Sequence, residues 1–152
     1  GHRLTIRGSF LQPGGRVSLK GGRLYVMGDY RLQGGFGGDL DMIYPGDYVR
    51  VDGELVTEGQ LMLGGGVLEV KGNFTQLEGY FSTILAFNHK TLLSGPGVQT
   101  VSLAYPPTDD VILHRSRFAT LVITKPLATG YTFLSPSRCR ALGDRARRHA
   151  GA

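Results

Sequence analysis

The chain of 152 residues has no tryptophan, a single cysteine and no long apolar run. A lone cysteine, Cys139, cannot form an internal disulfide or half of a CxxC metal or redox site. A transmembrane helix needs about 18 consecutive apolar residues, so we expect no membrane span. Glycine or proline interrupts the i, i+3, i+4, i+7 apolar spacing in every window before residue 137, which excludes a mainly helical protein.

Sequence signatures of catalysis are also missing. None of the four histidines belongs to an HxxxH or HExxH pair, and the chain has no GxSxG nucleophile motif. The glycine-rich runs 34–38 and 64–66 lack the GK[ST] end and the following helix of a phosphate-binding loop, so they predict corners between strands. We therefore predict that the chain is not an enzyme, needs no cofactor and has no catalytic, cofactor-binding or metal-binding residues.

What the chain has in excess is glycine. Its 24 glycines are about twice the usual ~7%, and they do not follow the Gly-x-x period of collagen. They punctuate a phrase that occurs four times: apolar, any, apolar, any, Gly, polar, large apolar. The copies begin at Leu4, Leu24, Val49 and Leu68, which are 20, 25 and 19 residues apart. Self-similarity at such a period is typical of stacked repeat architectures.

The repeat extends beyond this phrase. A short alternating segment precedes three of the copies by seven residues, at Val17, Met42-Ile43-Tyr44 and Leu61. A weaker fifth copy occupies residues 84–95. Alternation of period two predicts further strands at 98–103, 118–123 and 131–134.

Short strands between glycine corners predict an all-β fold, a parallel β-solenoid (β-helix) of about 20–25 residues per coil. One coil cannot bury its own apolar face, whereas stacked coils enclose a continuous interior. We expect Phe10, Tyr30, Leu55 and Phe74 to form one interior ladder. The glycine two residues before each of them should mark a corner that needs positive φ or close packing. A β-sandwich is the alternative, although it does not require a fixed offset between successive units.

The chain divides into a β-solenoid repeat domain, 1–136, and a basic tail, 137–152, which we expect to be flexible. Within the repeat domain, 111–136 is the candidate for an irregular C-terminal cap, because a bare stack leaves strand edges open. The tail carries five arginines against one acid, Asp144, and so holds most of the net charge of +5. A nucleic-acid-binding domain usually has a basic face on its folded body, so nucleic acid is not an expected partner; contact of the tail with an anionic polymer or lipid is the alternative.

Two groups of polar residues were candidates for chemistry. Asp39, Asp41 and Asp47 offer the oxygen ligands that Ca²⁺ prefers, but the glycine and acid spacing of calcium loops is missing, so we interpret them as turn and surface residues. His89, next to Lys90, is interpreted as a surface or capping residue.

Aromatic residues between the second and third copies are candidates for a sugar-stacking patch. Scattered surface aromatics are normal, and the register of one of them, Tyr44, also allows an interior position. The residues concerned are Tyr25, Phe36, Tyr44 and Tyr48.

Several segments resemble the repeats of large secreted bacterial surface proteins, in which the pattern is L-x-V-x-G-D-F-x-Q, then H-K-x-x-L-S-G, then Q-T-V. In this chain they read LYVMGDYRLQ at 24–33, LEVKGNFTQ at 68–76, HKTLLSG at 89–95 and QTVS at 99–102. The resemblance covers residues 3 to about 125 and implies an extracellular scaffold or adhesin-like stalk, usually part of a longer chain. The third copy departs from the pattern at Glu54-Leu55-Val56-Thr57.

These observations predict a non-catalytic structural or adhesive repeat module of a bacterial secreted or cell-surface protein, acting as a rigid stalk or interaction surface. Its expected partners are neighbouring repeats or domains of a longer chain, a carbohydrate or other surface ligand, or another copy of itself end to end. Two alternatives stay open. One is a self-polymerising scaffold like the bactofilins, whose Gly-x-Ile repeats are more regular; the other is a carbohydrate-binding or carbohydrate-cleaving β-helix.

Overall fold

The computed structural model describes residues 1–34, 39–77, 84–104, 116–124 and, for the backbone, 131–133. All regular structure in these ranges is β-strand. The strands are β1 (Arg3–Ile6), β2 (Phe10–Gln12), β3 (Arg16–Ser18), β4 (Arg23–Val26), β5 (Tyr30–Leu32), β6 (Asp39–Met42), β7 (Tyr48–Val51), β8 (Leu55–Thr57), β9 (Gln60–Leu63), β10 (Val67–Val70), β11 (Phe74–Gln76), β12 (Ile84–Ala86), β13 (Lys90–Leu93), β14 (Gln99–Ser102), β15 (Thr120–Ile123) and β16 (Tyr131–Phe133).

The strands form three parallel sheets, in which neighbours are usually three strands apart along the chain. Sheet A has the order β1-β4-β7-β10-β13-β15, sheet B the order β2-β5-β8-β11-β14-β16 and sheet C the order β3-β6-β9-β12. Each coil therefore contributes one strand to sheet A, then one to sheet B, then one to sheet C. Four such coils, β1–β3, β4–β6, β7–β9 and β10–β12, are followed by the pairs β13–β14 and β15–β16. This arrangement confirms the predicted parallel β-solenoid.

Equivalent positions of the repeated phrase, here called its letters, lie over one another in successive coils. Phe10 pairs with Tyr30, Tyr30 with Leu55, and Leu55 with Phe74, so the predicted aromatic and apolar ladder is confirmed. The first apolar letters form a second ladder along sheet A, in which Leu4, Leu24, Val49, Leu68, Thr91 and Leu121 are successive register partners.

Burial of a ladder residue comes from the coils on both sides of it. Leu4, in the first coil, is 60% exposed, whereas Leu24 at the same place in the second coil is 2% exposed. Val49 and Leu68, farther along the ladder, are fully buried. Since complete burial of such a side chain is worth roughly 1.5–3 kcal/mol, packing by the adjacent coils contributes stability of this order for each ladder residue.

The corner glycines of the phrase are required for close approach rather than for positive φ. The amide of Gly28 donates to the carbonyl of Gly8 (3.0 Å), Gly53 to Gly28 (3.0 Å) and Gly72 to Gly53 (2.9 Å). A Cβ atom on Gly72 would lie 2.4 Å from the Gly53 carbonyl carbon. Positive φ occurs instead at glycines of other corners, at Gly15, Gly21 and Gly66. Of the two reasons predicted for the corner glycine, close packing is the one that applies.

In three of the four copies, the polar residue after the corner glycine accepts a backbone amide of the next coil. The Ser9 hydroxyl accepts from the amide of Asp29 (3.1 Å), and the Asp29 carboxylate accepts from the amide of Glu54 (2.9 Å). Asn73 accepts in the same way from the amide of Thr100 (2.9 Å). These bonds satisfy backbone donors where the chain turns from sheet A into sheet B.

One predicted register is wrong. We expected Met42 and Tyr44 at the sheet C position of the third copy, seven residues before the phrase. The strand partners of Leu61 and Leu63 are instead Leu40 and Met42, and Tyr44 lies in the following corner, 47% exposed. This corner is two residues longer than its equivalents because it contains Pro45 and Gly46, and a constant offset along the sequence cannot reveal such an insertion.

The later predicted strands are confirmed as β14, β15 and β16. β15 pairs with β13, and β16 pairs with β14, so the described parts of 111–136 extend sheets A and B by one strand each. The role of 111–136 as a cap stays a prediction. Residues 137–152 lie outside the described residues.

Alanine at a corner glycine should distinguish stacked from unstacked positions. We expect Gly72→Ala to lower the free energy of unfolding by about 1–3 kcal/mol, since the new methyl group overpacks against Gly53. Gly8→Ala is the matched control, because a Cβ there would meet nothing within 4 Å. Urea unfolding followed by circular dichroism measures both, and equal effects at the two sites would contradict close stacking.

Candidate functional site on the outer face of sheet A

Side chains of sheet A alternate between the interior and solvent, because successive strand residues point to opposite faces. The outward positions form three rows across the coils. The rows are Arg3, Arg23, Tyr48, Val67, Lys90 and Thr120; Thr5, Tyr25, Arg50, Glu69, Leu92 and Val122; and, just after the strands, Arg7, Met27, Asp52, Lys71 and Ser94.

Two tyrosines of neighbouring coils pack together on this face. The ring centroids of Tyr25 and Tyr48 are 5.6 Å apart, with the planes inclined by 48°. The guanidinium carbon of Arg3 lies 4.4 Å from the centroid of the Tyr25 ring, over its face, in the geometry of a cation–π contact. A shallow groove runs beside the tyrosines, lined by Arg23, Tyr25, Pro45, Gly46, Asp47, Tyr48 and Val67.

Glu69 anchors the middle of the face. It accepts hydrogen bonds from the Tyr48 hydroxyl and from the Ser94 hydroxyl (2.5 Å). Partial burial alone would raise the pKa of Glu69, but these two bonds and the charges of Arg50 and Lys71 hold it below its ordinary value. Burial and the bond to Glu69 raise the pKa of Tyr48, so Tyr48 remains a neutral donor.

A second carboxylate neutralises the cations of the middle coils. Asp52 lies 2.7 Å from Arg50 Nε and 3.2 Å from Lys71 Nζ. Burial would raise the pKa of Asp52, and the two cations more than offset this and lower it. Arg50, Lys71, Asp52 and Glu69 therefore form a charge-balanced network across the third and fourth coils.

The first two coils of the same face have cations without acids. Arg3, Arg7 and Arg23 are all exposed there, and no carboxylate in the described part of the chain forms a salt bridge with any of them. The net charge of the repeat domain is close to zero. That total does not reveal that exposed arginines without paired acids are concentrated on the first two coils of this face. The positions of the cations within the repeat, at alternate letters that point outward, were the signal that could have identified the basic face.

The three aspartates considered for calcium do not come together. Asp39 and Asp41 both approach Arg16, at 3.0 and 3.4 Å, and burial raises the pKa of Asp41 against the pull of Arg16. Asp47 is 1% exposed and accepts from the amides of Gly21 (2.6 Å) and Tyr44 (3.0 Å). The interpretation as surface residues is therefore wrong for Asp39 and Asp47, which are buried. No group of three metal-ligating side chains occurs within the described ranges.

His89 was interpreted as a surface or capping residue, and the surface half of that interpretation is wrong because His89 is buried. Only 2% of it is exposed. Its Nδ1 lies 2.7 Å from the carbonyl oxygen of Gly65 in the preceding coil, so this nitrogen carries the proton and donates. The other ring nitrogen is buried with no hydrogen-bond partner, which makes protonation costly. Burial lowers the pKa of His89 despite the Gly65 bond and the nearby Asp47, which act to raise it.

Of the predicted aromatic patch, the structure brings together Tyr25 and Tyr48. Tyr44 belongs to the corner before β7 and is exposed rather than interior. Phe36 and most of the glycine run 34–38 lie outside the described residues, as do Asp144 and Cys139. The second glycine run, 64–66, forms the predicted corner between β9 and β10.

Comparison of the chain with protein-family models, curated protein sequences and solved structures gives no match in any of the three. Among the residues that the structure describes, no helix has the length and apolar character needed to cross a bilayer.

The buried histidine predicts a pH dependence of stability. The folded state lowers the pKa of His89 below the unfolded value of about 6.5. Its contribution to stability is therefore fully present above that unfolded value and is lost as pH falls toward the folded pKa. We expect urea unfolding midpoints to decrease from pH 7.5 to pH 5, and to do so less steeply in His89→Gln. His2→Gln, at an exposed residue, is the control, and parallel curves for the wild type and His89→Gln would refute the assignment.

Proposed function

We propose that this chain is a non-catalytic structural module of a bacterial secreted or cell-surface protein, in which stacked coils act as a rigid spacer or stalk. The observation that carries the proposal is the unbroken parallel register of sheet A across six successive strands, from β1 to β15. A structure of this kind has a length set by the number of its coils, at about 4.8 Å for each.

The internal bonding supports stiffness. The first four coils are joined by the strand ladders and the corner glycine bonds, and Ser9, Asp29 and Asn73 add the bonds to backbone amides described above. Buried side chains also form hydrogen bonds to the backbone at the corners. The Tyr30 hydroxyl donates to Gln12 (2.6 Å), and the Gln12 amide donates in turn to the carbonyls of Gly15 (2.6 Å) and Asp39 (3.2 Å). Bending the stack would break bonds of every kind at the same coil.

The surface location rests on the resemblance of the repeated phrases to those of large bacterial surface proteins. It is tested with antibodies against this chain on cells of the source organism. Labelling of unpermeabilised cells supports the proposal, and labelling only after permeabilisation contradicts it.

The spacer role predicts that whole coils can be removed. Deletion of residues 54–72 joins Gly53 to Asn73, which reproduces the Gly72–Asn73 junction and removes one complete coil. We expect this variant to fold, with the distance between spin labels on Leu11 and Ser102 shortened by about 4.8 Å. Cys139→Ser is used throughout to keep labelling specific.

The control is deletion of 54–63, which removes β8 and β9 and leaves an incomplete coil. We expect this shorter deletion to abolish cooperative unfolding, because the strands that follow lose their register. If both deletions unfold the protein equally, length is not modular and the spacer proposal fails.

A further inference from the structure

We propose that the outer face of the first two coils of sheet A binds an acidic polysaccharide, whose carboxylate or sulfate groups are held between Arg3 and Arg23. This site goes beyond the spacer role, and the spacer proposal does not depend on it.

The two arginines are direct register partners in neighbouring parallel strands, so their Cα atoms are about 4.8 Å apart. Like charges directly opposite one another destabilise a sheet. Both side chains are exposed. Asp47 lines the same groove as Arg23 but is buried and forms no salt bridge with it among the described residues. The acids that point outward on this face, Asp52 and Glu69, belong to later coils. An anion between the two guanidinium groups removes the repulsion. Guanidinium groups are planar forks that match a carboxylate or sulfate with paired hydrogen bonds.

One of the two arginines is already positioned. Arg3 lies over the Tyr25 ring, and the Tyr25 ring packs on Tyr48. Tyr48 is itself held by its hydrogen bond to Glu69. Because the side chain is ordered before the ligand arrives, less conformational entropy is lost on binding.

The spacing of the cations favours a polymer with separated charges. Arg7 follows the same strand as Arg3, four residues later and so about 13 Å away, and the positions between them in the first two coils are the uncharged Thr5 and Tyr25. Single-stranded nucleic acid has a charge on every nucleotide and stacks its bases on open aromatic rings. Here Arg3 covers one face of the Tyr25 ring and Tyr48 packs against the same ring. This ring is therefore not open for a base to stack on.

The acids of the third and fourth coils set the direction of the ligand. A polyanion running along the stack would meet Asp52 and Glu69, whereas one running parallel to the strands meets only the first two coils. Asp47 also lines the groove, but it is buried and both its carboxylate oxygens accept backbone amides. The expected path therefore crosses coils 1 and 2 from Arg3 and Arg23 toward Arg7.

The test measures binding to the chain of 152 residues in which the five arginines of the tail are changed to glutamine, so that the tail adds no polyanion affinity. The probes are an oligogalacturonate for carboxylates, a heparin-derived oligosaccharide for sulfates, neutral dextran and an oligo(dT) strand. Calorimetry at low and at moderate salt gives the dissociation constants. We expect binding of one or both acidic oligosaccharides, weakened by salt, and no binding of dextran.

The decisive variants, Arg23→Gln and Arg31→Gln, each remove one positive charge from the second coil and differ only in the sheet that loses it. Arg23→Gln should weaken binding about tenfold, the size expected for loss of a charge-assisted pair, and Arg3→Gln with Arg23→Gln should abolish it. Arg31→Gln removes the same charge from the second coil but on sheet B, where Arg31 is exposed, and should change binding less than twofold. Thermal unfolding checks that each variant is folded; if Arg3→Gln is destabilised, the comparison of Arg23→Gln with Arg31→Gln decides.

Three results would overturn the proposal. Equal losses in Arg23→Gln and Arg31→Gln would mean that only net charge matters. Absence of binding to both acidic oligosaccharides would remove the site. Tighter binding of oligo(dT) than of either oligosaccharide would assign the face to nucleic acid instead.

Discussion

Burial of each coil by its neighbours is the constraint on which this structure depends. Leu4 and Leu24 hold the same position of the same phrase, and Leu24, which the coils of β1 and β7 flank on sheet A, is buried, whereas Leu4 in β1 is exposed. The apolar residues of a single coil thus gain little by folding alone. Stability is shared between adjacent coils, as in other one-dimensional repeat folds, and register becomes a condition of folding because a shift of one residue turns the apolar letters outward.

The repeated phrase is explained letter by letter by this stacking. The two alternate apolar letters face the interior from sheet A, and the large apolar letter faces it from sheet B. Glycine at the corner lets successive coils approach within hydrogen-bond distance, and the polar residue after it hydrogen-bonds to the next coil, through a backbone amide in three copies and through the Thr75 hydroxyl in the third. Such letters recur because they occupy equivalent places, so the fold class, the ladders and most strands were predictable from the sequence.

Other features were not predictable because they depend on contacts between coils. The corner before β7 is longer than its equivalents, so a fixed offset misplaced Met42 and Tyr44. His89 looks like a surface residue beside Lys90, but its ring reaches the carbonyl of Gly65, 24 residues earlier, and is buried there. Arg3 and Arg23 lie 20 residues apart along the chain, and only the register shows that they are adjacent. The interior residues decide how the coils stack, while the outward positions can vary and carry recognition.

The most direct test of the in-register stack measures distances along one outer face. Spin labels at Leu11 paired in turn with labels at Arg31, Thr75 and Ser102, in a Cys139→Ser background, lie one, three and four coils apart on sheet B. The account predicts distances between backbone positions that grow by about 4.8 Å for each coil, to about 5, 14 and 19 Å, with narrow distributions. Distances that fail to increase in proportion to the number of coils, as an antiparallel meander or sandwich would give, would contradict it.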